Sequence, residues 1–155
     1  MTKIFSAGIV VFRRGDDGLE VLLGHMGGPF WARKDEAAWS IPKGEYLPDE
    51  EQPQAAAARE FVEELGLAVP EGEWLALGDV VYGRGKTLTA WAVEGDPDPS
   101  TIVPGTFEME WPPRSGRVAV FPEIDRAAFF DIATATEKLV KGQRPLLARL
   151  AEELN

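Results

Sequence analysis

The sequence predicts an α/β fold in which a mixed β-sheet is covered by helices on both faces. Three observations lead there. Two apolar runs near the start are joined by a glycine-rich turn, one alanine-rich helical segment interrupts the strands, and two helical patterns close the chain.

Residues 4–13 read as a strand, being rich in apolar and β-branched side chains. Gly15-Asp16-Asp17-Gly18 supplies a hairpin turn, and residues 19–25 the partner strand. Glycine, proline and tryptophan between Gly27 and Trp39 predict a loop. The best-defined helix spans residues 53–65. Proline at its first position, Pro53, sacrifices no needed N–H, the alanines at 55–58 extend it, and Gly66 ends it. Strands follow at 73–82 and 87–94. From Gly95 to Gly116, Pro97, Pro99, Pro104, Pro112 and Pro113 predict irregular chain. Residues 117–121 form a short strand, and 132–140 and 143–153 the closing helices. No repeat or low-complexity linker divides the sequence, so residues 1–155 are expected to form a single domain.

Composition removes several function classes. The 155 residues are 45% apolar and 27% charged, as in a globular protein. With no cysteine there is no disulfide, thiolate zinc site or cysteine nucleophile. The single histidine, His25, excludes a multi-histidine metal site and disfavours a serine–histidine–acid triad. A net charge of −10 argues against duplex nucleic acid, whose phosphates demand clustered lysine and arginine. An acidic protein still binds a small polyphosphate if a metal ion supplies the positive charge. The start of the chain lacks the long apolar core of a signal peptide, and no apolar run reaches membrane-spanning length. A cytoplasmic location is expected.

Within the 53–65 helix, Ala58, Phe61, Val62 and Leu65 are predicted to share one face, with Glu60, Glu63 and Glu64 on the opposite one. Three carboxylates at spacings of three and four repel one another unless a cation sits among them. Their hard oxygens suit Mg²⁺ or Mn²⁺ better than zinc. Arg59, at the edge of the cluster, can orient a carboxylate by a charge-assisted hydrogen bond. Taken alone, such a glutamate-rich stretch is also what a solvated helix face looks like.

The wider segment narrows the reading. Gly44, Glu51, Arg59, Glu60, Phe61, Glu63, Glu64, Gly66 and Leu67 closely resemble the Nudix box: a glycine, a glutamate, seven residues, then Arg-Glu-apolar-x-Glu-Glu-x-Gly-apolar. Six residues rather than five separate Gly44 from Glu51, and Phe61 replaces an aliphatic residue. Neither departure touches the acids.

The resemblance implies a Nudix-type α/β/α sandwich with a mixed β-sheet, and Mg²⁺-dependent hydrolysis of a nucleoside diphosphate linked to another moiety. It implies Glu60, Glu63 and Glu64 as metal ligands, with the Gly44 carbonyl available to the same ion and Glu51 as a supporting carboxylate. Glu123, in a late loop before the apolar run 124–130, is a further expected ligand, although an acid beside Pro122 also reads as a plain turn residue. Glu108 and Glu110 are its rivals. Among the catalytic residues Glu60, Glu64 and Arg59, Glu64 is expected to ligate metal and Glu60 to act as base or ligand.

The stretch from Trp39 to Gly44 resembles that of Nudix diadenosine polyphosphate hydrolases, which implies that Lys43 meets phosphate oxygens as a point charge. The same resemblance implies that Tyr82 stacks on a base; Arg84 and Lys86, beside it in sequence, are candidates for a distal phosphate, although they also read as plain exposed hairpin charges. Trp31, Trp39, Trp91 and Trp111 are other candidate platforms. The loop from His25 to Lys34 reads as substrate-facing, with His25 itself structural, and residues 112–117 form a second basic loop. The expected substrate is a small nucleotide such as a dinucleoside polyphosphate, handled by a monomer or homodimer. A nucleoside triphosphate pyrophosphatase and a non-catalytic nucleotide sensor are the alternatives.

Overall fold

Strands β1 (Ile4–Gly15) and β2 (Gly18–Met26) form the hairpin that the turn residues predict, with Gly15 opposite Gly18. The computed structural model that shows this describes residues 2–154. Only the halves next to the turn pair with each other. The hairpin then opens into a fork, and residues 38–46 fill it.

On one side of the fork β3 (Trp39–Ser40) pairs with the end of β2; on the other β4 (Lys43–Tyr46) pairs with the start of β1. The turn between them is bonded to β1 by Ile9 N–H donating to Pro42 O at 3.1 Å. Both strands were absent from the sequence reading, because segments of two and four residues carry no readable period.

The rest of the sheet grows outward from this hairpin. β5 (Leu75–Tyr82) and β6 (Lys86–Glu94) form a second hairpin, and β6 lies parallel to β1 from Ile4 to Phe12. β9 (Ile124–Asp131) covers the other edge of β2. The sheet is therefore seven-stranded and mixed, with the path β3-β2-β1-β6-β5 and with β4 on β1 and β9 on β2. β7 (Thr106–Glu110) and β8 (Val118–Pro122) make a separate two-stranded ribbon. The prolines of this region had predicted irregular chain throughout. Pro104 and Pro112 instead frame β7 from outside, where a missing N–H costs the ladder nothing.

Alternation along the strands sorts the core into two layers. Ala7, Ile9, Val11 and Leu22 face α1 (Pro53–Leu65), packing with Ala56, Ala57, Phe61 and Leu65. Val10, Phe12, Val21 and Leu23 face the other way, onto Leu139, Leu146, Leu147 and Leu150 of the closing segment, which holds α2 (Ile132–Lys138) and α3 (Pro145–Glu153). This is the expected α/β/α sandwich. Each fully buried large apolar side chain, Phe61 among them, contributes about 2–3 kcal/mol. Among the described residues no helix is long and apolar enough to cross a membrane.

Helix α1 starts and stops where local chemistry predicts. Pro53 occupies its first turn, and Gly66 closes it in the left-handed region (φ 66°), donating its N–H to Val62 O at 2.7 Å. Its buried face differs from the expected one. Ala56, Ala57, Phe61 and Leu65 are buried, whereas Val62 is 47% exposed and Ala58 only partly covered. At about 100° per residue this turns the inward stripe by roughly a quarter turn. Glu60 and Glu64 thereby fall between the buried positions and face inward over β4, not outward to solvent.

Candidate active site

The inward turn of α1 is possible because of what lies beneath it. β4 presents Gly44 to the helix, and a Cβ there would run into the Glu60 carboxylate. The side chain of Glu60 is 13% exposed, against 57% for Glu63 one turn along.

Arg59 organises the acids. Its Nε and Nη2 donate to the two oxygens of Glu51 at 2.9 and 2.8 Å, a two-point clasp. Nη1 donates to Glu60 at 2.9 Å and to both oxygens of Glu63 at 3.2 Å. One guanidinium thus holds three carboxylates. The bond from Arg59 draws the Glu51 carboxyl below its usual range, and its acidic partners raise Arg59.

Glu64 has no such partner. Burial, then the charge of Glu123, pushes its carboxyl up to about 8, with Glu60 adding to the effect and Lys43 opposing it. The Glu123 carboxyl is within hydrogen-bonding reach of Glu64. Burial also raises Glu60, against the opposing pull of Arg59. Burial and neighbouring carboxylates both disfavour the charged form, so ionising all of these acids together calls for a nearby positive charge.

These groups line one open cavity of about 550 Å³, formed where the fork meets α1. Lys43, Gly44 and Glu45 of β4 line it with Glu60, Glu63 and Glu64 of α1, while Glu123 and Ile124 enter from the β8–β9 corner. Glu123 is fixed by its own backbone, its N–H donating to Gly105 O at 2.9 Å and its O accepting from Gly27 N–H at 2.9 Å. Met26, Gly27, Trp31, Ser40 and Phe107 complete the wall.

Whether these residues suit a metal ion is decided by donor chemistry. Every donor is a hard oxygen, which matches Mg²⁺ or Mn²⁺. Among the described residues, however, no three acidic or histidine side chains converge on one point as they stand. Glu60 and Glu63 are turned toward Arg59, and Glu64 is turned toward Glu123. The donor set fits the ion, and Arg59 engages one oxygen of Glu60, Oε1, leaving the other for a cation.

Other expectations meet a different geometry. Tyr82, Arg84 and Lys86 are not among the residues lining the cavity. Strands β1 and β6 separate β5 from β4, and Tyr82 is committed elsewhere, with its hydroxyl 3.3 Å from Ser6 Oγ and its ring against the α2–α3 layer. Arg84 and Lys86 are exposed at the β5–β6 turn. Glu108 and Glu110 also lie off the cavity, on the ribbon.

Of the candidate tryptophans, only Trp31 lines the cavity. Trp39 is buried against His25 and Phe130, and Trp91 pairs with Trp74. Trp111 meets Phe30 edge-to-face. His25 is fully buried, bonded to Asp125 through Nδ1 at 2.9 Å and to Lys34 O through Nε2 at 2.6 Å. Phe107 was missed. The alternation of Thr106, Phe107, Glu108, Met109 and Glu110 was the signal that could have found it.

A model of the NUDIX domain matches residues 2–150. The chain belongs to the NUDIX domain family. Members of that family act on small nucleotides and generally use a divalent metal. Solved structures agree with the fold. An Ap4A hydrolase binary complex from C. elegans is similar at TM-score 0.67 and 20% identity, over 96% of this chain and 97% of that one. The NUDIX domain of Shewanella oneidensis NrtR complexed with ADP ribose is similar at 0.65 and 14%, over 100% and 90%. A MutT protein from Methanosarcina mazei is similar at 0.61 and 19%, over 100% and 99%. Comparison with curated protein sequences finds no match.

Proposed function

We propose that this chain, as one cytoplasmic domain, hydrolyses a phosphoric anhydride bond in a dinucleoside polyphosphate or a related nucleotide, with Mg²⁺ as cofactor. The observation that carries the reading is the meeting of Glu60, Glu63, Glu64 and Glu123 with Lys43 around one cavity. A polyphosphate needs positive charge, and in an acidic cleft with one lysine a divalent ion is the natural source.

Glu60, Glu63, Glu64 and Glu123, with the Gly44 carbonyl, would hold Mg²⁺, and Mn²⁺ suits the same donors. When bound, the ion supplies neutralisation of the anhydride's charge and a lowered pKa for water. Lys43 binds a phosphate oxygen. Arg59 keeps Glu60 oriented, and Glu60 accepts the proton of the attacking water. Glu64 would serve as a ligand, its buried carboxyl giving up its proton as the ion binds.

The test is a hydrolysis panel of dinucleoside polyphosphates, nucleotide sugars and nucleoside triphosphates in ¹⁸O water with Mg²⁺. Product masses give the preferred substrate and the phosphorus attacked. Glu64→Gln is expected to cut turnover on the order of a hundredfold or more with folding intact. Undiminished turnover would discard the site, and a triphosphate as best substrate would replace the dinucleotide.

A further inference from the structure

The cavity has two unlike ends. Lys43, Glu45, Glu60, Glu63 and Glu64 come from β4 and α1. Met26, Trp31 and Phe107 gather around the backbone of the loop after β2. Phe107 lies against Gly28, where a Cβ would approach its Cζ to 2.9 Å, so the missing side chain lets the ring rest on the loop. The loop and the ribbon meet again at Phe30 and Trp111, whose ring centroids are 6.1 Å apart. The Lys34 ammonium stands 5.3 Å from the centroid of Trp31. The apolar end is thus a built wall carrying two half-buried aromatic rings.

Beyond the single indole N–H of Trp31, this wall lacks a hydrogen-bonding side chain free to read a base. Among the described residues lining the cavity, Ser40 is the sole hydroxyl or amide side chain. Its Oγ is occupied, donating to Ile41 O at 2.7 Å and accepting from Gln143 Nε2 at 3.0 Å. Three nearby backbone N–H groups are occupied too. Met26 N–H donates to Ala38 O, Gly27 N–H to Glu123 O, and Trp31 N–H to Gly28 O.

Resting on the hydrolytic reading above, we propose that Trp31 and Phe107 take the nucleobase by stacking alone. The enzyme then selects nucleotides as a class, with a preference for the larger purine ring, and is indifferent to the base's edge. Stacking tolerates every base because each has a π-face, whereas discrimination requires buried polar groups that would be left unpaired by the wrong partner. Phe107 and Trp31 are specificity-determining residues, and the ribbon β7–β8 exists at the site to carry one of them.

The experiment measures equilibrium binding to the intact protein with Mg²⁺, by calorimetry and tryptophan fluorescence. The probes are the α,β-methylene diphosphates of adenosine, guanosine, cytidine and uridine, with methylenediphosphonate as the base-free control. Adenosine and guanosine probes are expected to bind within about threefold of each other, the pyrimidines more weakly, and the control at least roughly tenfold more weakly than either purine. Phe107→Leu is expected to weaken all four nucleotides roughly tenfold and leave the control unchanged, with Phe107→Tyr restoring them. Trp31→Phe should keep binding and abolish most of the ligand-induced fluorescence change.

Discrimination between adenosine and guanosine beyond about fiftyfold would overturn the proposal. So would an equal loss for the control, or nucleotide binding unchanged in Phe107→Leu. A thermal melt of each variant separates loss of the slot from loss of the fold. If the probes bind with the expected pattern but no anhydride substrate of the hydrolysis panel is turned over, the hydrolytic reading fails while the slot stands. If Phe107→Leu turns over nucleotides at wild-type KM, the slot fails and hydrolysis stands.

Discussion

Gly44 and Glu60 share one volume: the space a methyl group would take on β4 is the space the carboxylate takes from α1. Gly44→Ala is therefore expected to displace Glu60 by about the width of a methyl group. A shift of that size costs roughly a hundredfold in turnover. Circular dichroism and the unfolding midpoint should change little, because the added methyl lies at a cavity wall. Turnover within twofold of the parent would show that Glu60 is not needed where it stands.

Arg59 holds three carboxylates while 40% exposed. Exposure limits its worth to the fold, so Arg59→Ala should cost under about 1 kcal/mol of stability in urea titrations. Its effect on turnover is expected to be larger, since Glu60 loses its orienting bond. Arg59→Lys should not restore the rate, because an ammonium cannot span Glu51 and Glu60 as the planar fork does. Full recovery in the lysine variant would reduce Arg59 to a point charge.

Glu64 sets a pH dependence of definite sign. Its folded carboxyl titrates near 8, above the ordinary value of 4.5. The folded state therefore binds more protons than the unfolded chain between those values, and the metal-free protein loses stability as pH rises from 4.5 toward 8. The difference between parent and Glu64→Gln in chemical denaturation at pH 5, 6, 7 and 8 isolates this group, and it should shrink or reverse with rising pH.

With Glu64 as the proposed ligand, Mg²⁺ binding is expected to displace this proton. Calorimetry at pH 6.5 in two buffers of different ionisation enthalpy should record close to one proton released, falling toward zero at pH 9. No release at pH 6.5 would remove Glu64 from the ligand set.

Tyr82 provides a control against the expectation drawn from family likeness. It faces Ser6 and the α2–α3 layer, so Tyr82→Leu, which removes the ring, should leave KM for nucleotides unchanged. The lost hydrogen bond should contribute about 1 kcal/mol to the variant's loss of stability in urea titrations. A several-fold rise in KM with the fold intact would return Tyr82 to the site.

Legibility in the sequence followed the range of each signal. Helix α1 was readable to its ends because Pro53 and Gly66 act locally. Its orientation was not, because that depends on Gly44 lying beneath Glu60, a contact between segments that only the fold brings together. The box acids could be named from spacing, yet their burial could not, since apolar Val62 is exposed and charged Glu64 faces inward. Phe107 escaped because prolines flanking a short strand resemble prolines breaking one. The position of Tyr82 off the cavity was not legible because distance along the chain says nothing about the two strands that come between β5 and β4.

The fork in the first hairpin separates two kinds of freedom. Met26 N–H is bonded to Ala38 O, so the chain leaves the sheet and re-enters it at neighbouring points, and everything between is an excursion anchored at its base. The length of that excursion does not set the register of β3 or β4 and does not move α1. Residues 29–33 can thus be lengthened, shortened or replaced to alter which molecules are admitted, because Lys34 and Asp35 are tied to His25, Trp39 and Lys138, and the acids lining the cavity keep their positions.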